Sequence, residues 1–321
     1  MNESTKYLHW GAEALWQRLE PLLPGISVEV QARLESTNTR LLERARAMGG
    51  QRDAPVTRPG DLDALARDQR TPYGRRQGDI SPCLLVSELQ TRGRGRLGRG
   101  WVSSAGASLT FSLSLPMAPA QWAGLSLAVG LALADALDPL PLALQGDDKP
   151  RIGLKWPNDL WLLDGAGPDA GTNAGPQSGR KLGGILIETV SVGERRMCVV
   201  GVGLNVLPQP DPASTEGLAH GYACLQEMDP FVTAPIALAR VAEPLVLALR
   251  RFEHEGFAPL VAAYTRRDLL LGQNVSTTLP ERVDGIAEGV DEQGALRVRS
   301  GAVHRVVSGE VSVRLRAPGG A

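Results

Sequence analysis

Apolar positions recur along this chain with two periods, and the shorter period predicts its strands. Ile26–Leu34 and Ser108–Leu115 alternate between apolar and polar residues over the length of one strand. Pro82–Leu89 is an apolar run of similar length, and Lys181–Val190 and Met197–Val206 are almost continuously apolar. Such continuous runs are typical of strands buried on both faces, so we expect the last two at the centre of a sheet.

The longer period, that of the α-helix, predicts five helices. Leucine and tryptophan at helical spacing within residues 10–23 indicate a short helix that ends at Pro24-Gly25. A second helix follows Asn38. The remaining three are predicted over Ala120–Leu137, Thr233–Glu255 and Phe257–Leu270.

Short strand patterns separated by turn residues fill Gly272–Arg316 and predict a small β-barrel. We therefore expect two domains, one of residues 1–268 and one of residues 269–321. Gly49–Asp79 and Gly165–Arg180 have the composition of linkers and little apolar periodicity. We predict that both are insertions into the first domain without a part in catalysis.

Composition and charge argue against several classes of protein. Hydrophobic residues make up 43% and charged residues 21%, as in ordinary globular proteins, and the net charge of −1 does not suit a nucleic-acid coat. The three cysteines lack the spacing of a metal site, and no signal-peptide pattern is visible, which together predict a reduced, cytoplasmic protein. The longest apolar stretch is too short to span a membrane, so no membrane association is expected.

The segment Gln90–Trp101, QTRGRGRLGRGW, alternates arginine with glycine between two predicted strands. Glycine allows a close backbone approach, and the guanidinium group presents a planar fork of donors that matches carboxylate and phosphate. Together they indicate a loop that closes over a small anionic ligand. Arginine–glycine runs also occur in RNA-binding segments, so that alternative stays open at this point.

Two other turns contain candidate ligand-binding side chains. Ser36, Thr37 and Asn38 lie between a strand and a helix, where they can cap the helix or bind a ligand. Lys155 lies between a strand and the turn Trp156–Asp159, so its ammonium group is either solvated or faces a pocket.

Glycines within the two central strands leave room for a ligand against the backbone, as at Gly201 and Gly203. A dinucleotide-binding fingerprint needs a strand that leads into a helix, and an acidic residue about twenty positions on. Neither GRGRLG nor GVGLN lies in such a unit, and no Walker motif is present. We therefore reject both of these nucleotide-binding folds.

Taken in order, GRGRLGRGW, KWPNDL, KLGGILIE and GVGLNV resemble the motifs of biotin protein ligases, as do STN at 36–38 and the closing SGEVSVR. The similarity covers Ile26–Arg316, less the two insertions. It implies an α/β (α+β) fold, a mixed sheet with flanking helices that is related to class II aminoacyl-tRNA synthetases. It also implies a small C-terminal SH3-like β-barrel.

The resemblance implies a two-step reaction. Biotin and Mg²⁺-ATP give biotinyl-5′-AMP and pyrophosphate, and a lysine of a biotin carboxyl carrier domain then attacks the acyl-adenylate. The implied partner is that domain of acetyl-CoA carboxylase or of another biotin-dependent carboxylase. Both small substrates are anionic, so bringing them together requires fixed cations.

The resemblance also assigns roles to individual residues. The implied biotin-binding set is Ser36, Thr37, Asn38, Gln90, Arg94, Gly95, Arg96, Lys155 and Gly201. The implied ATP-binding set is Arg96, Arg99, Asn158 and Asn205, with Leu207–Gly221 folding over the adenine. Lys155, Arg94 and Arg96 are the implied catalytic residues, and no protein residue is assigned to a metal.

Three alternatives to the ligase remain. One is a lipoate or octanoyl transferase of the same fold, the second a biotin-sensing DNA-binding regulator, and the third a nucleic-acid binder that uses the arginine loop. Some family members have an N-terminal winged helix-turn-helix, for which the 35 residues before Ser36 are too few, so we expect no DNA binding. Family members differ between monomer and dimer, so a homodimer is one of two expected states.

Overall fold

A computed structural model of the chain describes residues 8–50, 80–140, 150–163, 179–209, 221–277, 282–307 and 313–315. In chain order the strands of this part are β1 (Ser27–Leu34), β2 (Cys83–Gln90), β3 (Gly93–Arg94), β4 (Gly100–Trp101), β5 (Ser108–Pro116), β6 (Ile152–Lys155), β7 (Asp159–Leu163), β8 (Gly179–Val192), β9 (Arg195–Asn205), β10 (Asn274–Thr277), β11 (Asp284–Val290), β12 (Leu296–Ser300), β13 (Ala302–Val306) and β14 (Val313–Leu315). The helices are α1 (Ala12–Leu19), α2 (Thr37–Gly50), α3 (Leu125–Leu137), α4 (Ala234–Glu255) and α5 (Val261–Thr265).

The chain divides into two compact units, neither of which is continuous in sequence. The first consists of Met1–Ala118, Leu186–Pro210 and Phe231–Glu243. The second consists of Pro119–Ile185, Asp211–Pro230 and Pro244–Ala321. Strand β8 begins in the second unit and ends in the first.

Strands of the first unit form a mixed sheet in the order β1-β2-β5-β9. Strand β1 runs parallel to β2, whereas β5 is antiparallel to both β2 and β9. Helix α2 covers this sheet, with Leu41 and Leu42 packed against Cys83, Leu85 and Val199. Strand β5 alternates between apolar and hydroxyl residues, and its hydroxyl residues are as buried as its apolar ones. The polar set is Ser108, Thr110, Ser112 and Ser114.

In the second unit, β6, β7 and the first part of β8 are antiparallel neighbours. A buried guanidinium group ties this sheet to the end of α3. Arg267 donates to Asp135 Oδ1 at 2.8 Å, to Asp138 Oδ2 at 3.0 Å and to the carbonyl oxygen of Ile152 at 3.0 Å. The side chain of Arg267 is fully buried, so these charge-assisted hydrogen bonds fix the start of β6.

The C-terminal strands of the second unit form a separate antiparallel sheet in the order β13-β12-β11-β10-β14. A small C-terminal β domain was expected from the sequence, and this prediction is confirmed. The domain boundary after residue 268 stays a prediction.

The predicted strands are confirmed to within a few residues, and all three cysteines are buried thiols. The predicted helix over Phe257–Leu270 is wrong. Its residues form a single 3-10 turn and the short α5, because the chain then pairs with β6 instead. Leu154 donates to the carbonyl oxygen of Arg267 at 2.7 Å and accepts from the amide of Leu269 at 3.0 Å.

Two other helices are shorter than their apolar patterns predict. Both begin after a glycine with positive φ, Gly11 before α1 and Gly124 before α3. The insertions are also shorter than predicted, because α2 continues to Gly50 and β8 begins at Gly179. Residues 51–79 and 165–178 lie outside the described residues. Among the helices that the structure describes, none is long and apolar enough to cross a membrane.

Candidate functional site

The arginine-rich segment of the first unit is a small hairpin. Gly93 pairs with Trp101 and Arg94 with Gly100, and a 3-10 turn over Arg96–Gly98 forms the tip. A Cβ atom at Gly93 would lie 2.3 Å from the carbonyl oxygen of Trp101, so this pairing requires glycine. The hairpin presents Arg94, Arg96 and Arg99 on a defined backbone.

The base of the hairpin is closed by Ser103 and Gln90. The amide of Gln90 donates to Ser103 Oγ at 3.0 Å, and that hydroxyl lies 3.2 Å from the Gln90 carbonyl oxygen, to which it can donate. The Gln90 side chain makes a separate contact, in which its Oε1 accepts from the amide of Thr37 at 2.7 Å. The hairpin is therefore attached to the first residue of α2.

A buried cluster of oxygens lies where α2 begins. Thr37 and Asn38 are buried, and both contact Ser112 of β5, which is fully buried. Ser112 Oγ is 2.6 Å from Thr37 Oγ1 and 2.6 Å from Asn38 Oδ1, and Thr37 Oγ1 is 3.1 Å from Gln90 Oε1. Four residues from three separate segments of the sequence thus form one chain of polar contacts.

Acceptors outnumber donors in this cluster. Gln90 Oε1 is an acceptor, because the Thr37 amide donates to it. Asn38 Oδ1 is also an acceptor, because the other atom of that amide group, Nδ2, faces two oxygen acceptors and is therefore the donor. Only the Thr37 and Ser112 hydroxyls can donate, so two protons serve three oxygen–oxygen contacts. The surplus of lone pairs suits a ligand that brings N–H donors.

Glu188 joins this cluster to the hairpin. Its Oε2 accepts from Asn38 Nδ2 at 3.0 Å, and its two oxygens accept from Arg94 Nη1 and Nη2 at 3.2 and 2.9 Å. Arg94 also donates to Thr39 Oγ1 at 3.3 Å, while its side chain remains 45% exposed. Arg94 is thus oriented by a carboxylate yet accessible to solvent.

Two glycines of β9 make room for neighbouring side chains. A Cβ atom at Gly201 would lie 2.1 Å from Asn38 Oδ1, and one at Gly203 would lie 2.5 Å from Trp101 Cε2. The glycines predicted to accommodate a ligand therefore already accommodate Asn38 and the Trp101 ring. Whether Gly201 also backs biotin stays a prediction.

The other predicted residues of the first unit have simpler surroundings. Ser36 caps α2, with the amide of Thr39 donating to its Oγ at 3.4 Å, so the capping interpretation applies to Ser36. The amide of Gly95 donates to the carbonyl oxygen of Arg99 at 2.7 Å. Asn205 is buried at the end of β9, opposite Ser108.

Lys155 and Asn158 belong to the second unit. Lys155 ends β6, is only 5% exposed, and places Nζ 4.4 Å from the centroid of the Trp161 ring. It is therefore not a solvated surface group. Asn158 Nδ2 donates to the carbonyl oxygen of Ile185 at 2.9 Å, and the amide of Ile185 donates back to the Asn158 carbonyl at 3.0 Å.

The sequence interpretation missed three residues of these clusters. Ser112 had a visible signal, because hydroxyl residues occupy every second position of a strand that pairs on both sides. Glu188 follows the KLGGILIE glycines in the same strand, and its acidic group is the complement that an arginine loop requires. Trp161 lies six residues after Lys155, on the paired strand β7. Within the described ranges, no group of three or more His, Cys, Asp or Glu residues is placed to hold a metal ion.

Comparison with protein families gives two matches to this chain. Residues 79–205 match the model described as "Biotin/lipoate A/B protein ligase family". Residues 270–314 match "Biotin protein ligase C terminal domain".

Two named relatives are each about one-third identical to this chain over the aligned residues. The chain is 34% identical over 297 residues to the "Bifunctional ligase/repressor BirA" of Escherichia coli, an alignment that covers 91% of this chain and 75% of the relative. It is 35% identical over 249 residues to the "Biotin--[acetyl-CoA-carboxylase] ligase" of Mycobacterium tuberculosis. That alignment covers 74% of this chain and 81% of the relative.

Among solved structures, the chain is similar to the biotin protein ligase from Aquifex aeolicus in complex with biotin and ATP. The match has a TM-score of 0.62 at 23% identity and covers 90% of this chain and 99% of the other. At this identity the similarity establishes the fold.

Proposed function

The chain belongs to the biotin protein ligase family, and from this membership we propose how it works. It activates biotin with ATP as biotinyl-5′-AMP and transfers the biotinyl group to a lysine of a biotin carboxyl carrier domain. The relative from Mycobacterium tuberculosis, whose name specifies acetyl-CoA carboxylase, supports that enzyme's carrier domain as the acceptor.

The oxygen cluster at the start of α2 carries the assignment of the biotin site. The ureido ring of biotin has two N–H donors, and Thr37, Ser112 and Asn38 form a buried group with more acceptors than protons. A buried acceptor without a proton costs on the order of 1–3 kcal/mol, which a donating ligand recovers. We therefore propose Thr37, Asn38 and Gln90 as ureido-binding residues and Ser112 as an addition to that set.

Cations supply the rest of the chemistry in this proposal. The carboxylate of biotin attacks the α-phosphorus of ATP, and negative charge builds on the phosphate oxygens as pyrophosphate leaves. Lys155, Arg94 and Arg96 are proposed to stabilise that charge in the transition state. Arg96, Arg99, Asn158 and Asn205 are proposed to bind ATP. Ser36, Gly95 and Gly201 complete the proposed biotin site.

Mg²⁺ is proposed to enter with ATP as part of the nucleotide substrate. Triphosphate oxygens are its ordinary ligands, and it needs few from the protein. The absence of DNA binding, a homodimer and a cytoplasmic location stay predictions from the sequence.

A lipoate ligase is the second candidate, because the matching catalytic-domain model includes lipoate proteins. Two observations favour biotin. The C-terminal match is to a biotin protein ligase domain, and the acceptor-rich cluster suits a ureido ring better than the apolar dithiolane ring of lipoate.

Transfer can be tested with purified protein, Mg²⁺-ATP, biotin and a biotin carboxyl carrier domain. We expect the carrier to gain the mass of one biotinyl group, and a carrier with its acceptor lysine replaced by arginine to gain nothing. A carrier that gains no mass with biotin, or gains it with lipoate instead, would contradict the proposal.

A further inference from the structure

Trp156, which directly follows Lys155, is held by a turn of the C-terminal sheet. Its side chain is 1% exposed, and its Nε1 donates to the carbonyl oxygen of Gly294 at 3.0 Å. Both residues belong to the second unit, although 138 positions separate them in the sequence. Only one peptide bond separates this anchored indole from Lys155.

The turn that contains Gly294 is held by several hydrogen bonds. Asp291 Oδ1 accepts from the amides of Gln293 and Ala295, each at 2.9 Å, and Arg305 contacts both Asp291 and the Gln293 side chain. Gly294 has φ +77°, a conformation that favours glycine. The carbonyl oxygen that Trp156 meets is therefore fixed in position.

Gly294 also packs directly on the start of α3. A Cβ atom at this position would lie 2.6 Å from Gly124 Cα and 3.1 Å from Leu127 Cδ1. The turn thus touches α3 on one side and the Trp156 indole on another. Any side chain at residue 294 must displace the turn, and with it the acceptor of the indole.

From these contacts we infer that the turn Asp291–Ala295 positions Lys155 through Trp156. Strand β6 is only four residues long, and Lys155 is its last residue. Leu154 donates to the Arg267 carbonyl oxygen and accepts from the Leu269 amide, which fixes the strand before Lys155, and Trp156 fixes the chain after it. Trp156 and Gly294 are positioning residues, and their contribution to the reaction rests on the proposed role of Lys155.

The first test is Trp156→Phe, which removes the N–H donor and keeps an aromatic ring. Lys155 is labelled in the substrate-free protein with an amine-acylating reagent, and peptides containing residue 155 are quantified by mass spectrometry. We expect labelling about fivefold or more faster than in the parent, since one lost hydrogen bond corresponds to roughly that factor. We also expect kcat for adenylate formation to fall about tenfold, with KM for biotin and ATP within about twofold.

The matched control is Trp16→Phe. Trp16 Nε1 also donates to a backbone carbonyl, that of Ile26 at 3.1 Å, but in the first unit. Trp16 is less buried than Trp156, so Trp16→Phe should lose somewhat less stability, and it should leave Lys155 labelling and kcat unchanged. Equal labelling of Lys155 in the parent and in Trp156→Phe would overturn the inference.

A glycine pair tests the turn itself. Gly294→Ala and Gly301→Ala both place alanine at a positive φ, +77° and +73° respectively. Only the new Cβ atom at residue 294 would clash with a neighbour, whereas one at residue 301 would have no atom within 4 Å. We expect faster Lys155 labelling and a lower kcat only in Gly294→Ala. The same change in both variants would assign the effect to general loosening of the C-terminal sheet and overturn the inference.

A double-mutant cycle shows whether Trp156 acts through Lys155. In a Lys155→Ala background, Trp156→Phe should change the adenylation rate by less than about twofold, because the group it positions is gone. A tenfold loss in both backgrounds would refute action through Lys155. If the parent forms no biotinyl-adenylate, the proposed function fails, while the labelling comparison still decides whether Trp156 and Gly294 position Lys155.

Discussion

Lys155 and Trp161 form a cation–π pair, with the ammonium nitrogen 4.4 Å from the centroid of the indole ring. A ring face attracts an ammonium group without neutralising its charge, as a carboxylate would. The ring contact thereby helps to hold the Lys155 ammonium group in place. In the proposed function, an ammonium group held in this way stabilises charge on a phosphate during adenylation.

Lys155→Ala should slow adenylate formation by on the order of 10²–10³, because a fixed cation is lost from the transition state. Its melting temperature should stay near that of the parent. Lys155→Arg should also be impaired, since a planar fork does not replace a point charge. Single-turnover formation of biotinyl-AMP at saturating biotin and ATP measures the effect.

Lys181→Ala is the control, because Lys181 is a half-exposed lysine of the same unit that pairs with Asp159 at 2.8 Å. It should form adenylate at a rate within about threefold of the parent, since such pairs contribute about 1 kcal/mol or less. Near-normal adenylation by Lys155→Ala would show that the role assigned to Lys155 is wrong.

Ser112→Ala should weaken biotin binding about tenfold and reduce the free energy of unfolding by about 1 kcal/mol, because the hydroxyl contacts both Thr37 and Asn38. Calorimetric titration with biotin measures the affinity. Ser114→Ala, two residues along the same buried face of β5, is the control and should bind biotin as the parent does. Equal affinities for Ser112→Ala and the parent would remove Ser112 from the site.

Glu188→Gln should weaken biotin binding severalfold, because Arg94 would lose the carboxylate that orients it. Its melting temperature should hardly change, since an ion pair as exposed as this one contributes about 1 kcal/mol or less. Glu243→Gln removes a more exposed carboxylate, the partner of Arg18, and should leave biotin affinity unchanged. If Glu188→Gln binds biotin as tightly as Glu243→Gln does, Glu188 does not orient Arg94 for the ligand.

Asp268 makes stability depend on pH in an unusual direction. Burial raises the pKa of Asp268 to about 6, although a hydrogen bond from the Leu270 amide opposes the shift. The folded state therefore holds the proton more tightly than the unfolded chain does. The contribution of the protonated Asp268 to the free energy of unfolding is fully present below about pH 4, and it is lost as the pH rises through about 6. The neighbouring Tyr264 stays neutral over this range, because burial and Asp268 raise its pKa further.

Asp268→Asn mimics the protonated form, so it should gain stability over the parent as the pH rises from 4 to 8. The gain should reach at most about 3 kcal/mol at pH 8. Asp291→Asn should behave oppositely: burial opposes the shift, but hydrogen bonds from Arg305 and the backbone lower the pKa of Asp291. The charged Asp291 side chain stabilises the fold at pH values above its unfolded pKa, and this stabilisation is lost in acid. Asp291→Asn should therefore have a lower free energy of unfolding than the parent at neutral pH. Denaturant unfolding at several pH values measures both; a gain for Asp268→Asn that does not vary with pH would contradict the linkage.

Local patterns predicted the strands well, because alternation and short apolar runs are signals of an extended chain. Alternation did not report burial in β5, whose hydroxyl positions are buried as well. They failed for Phe257–Leu270, where the backbone hydrogen bonds between Leu154 and residues 267–269 compete with the helix. That pairing joins segments more than a hundred positions apart, so no local pattern contains it.

The same distinction applies to the candidate site. Thr37, Asn38, Gln90 and Arg94 lie in recognisable motifs, and the structure brings them together with Gly201. Ser112 and Glu188 were missed because their importance arises from partners far away in sequence. Ser112 lies 74 positions from Asn38, and Glu188 lies 94 positions from Arg94.

Pyrophosphate release from Mg²⁺-ATP, measured with biotin, lipoate or octanoate supplied in turn, tests the central claim most directly. The proposed function predicts release with biotin, at most a trace with the other two acids, and a loss of the biotin-dependent signal in Lys155→Ala. Release that is faster with lipoate or octanoate, or no release with biotin, would contradict it.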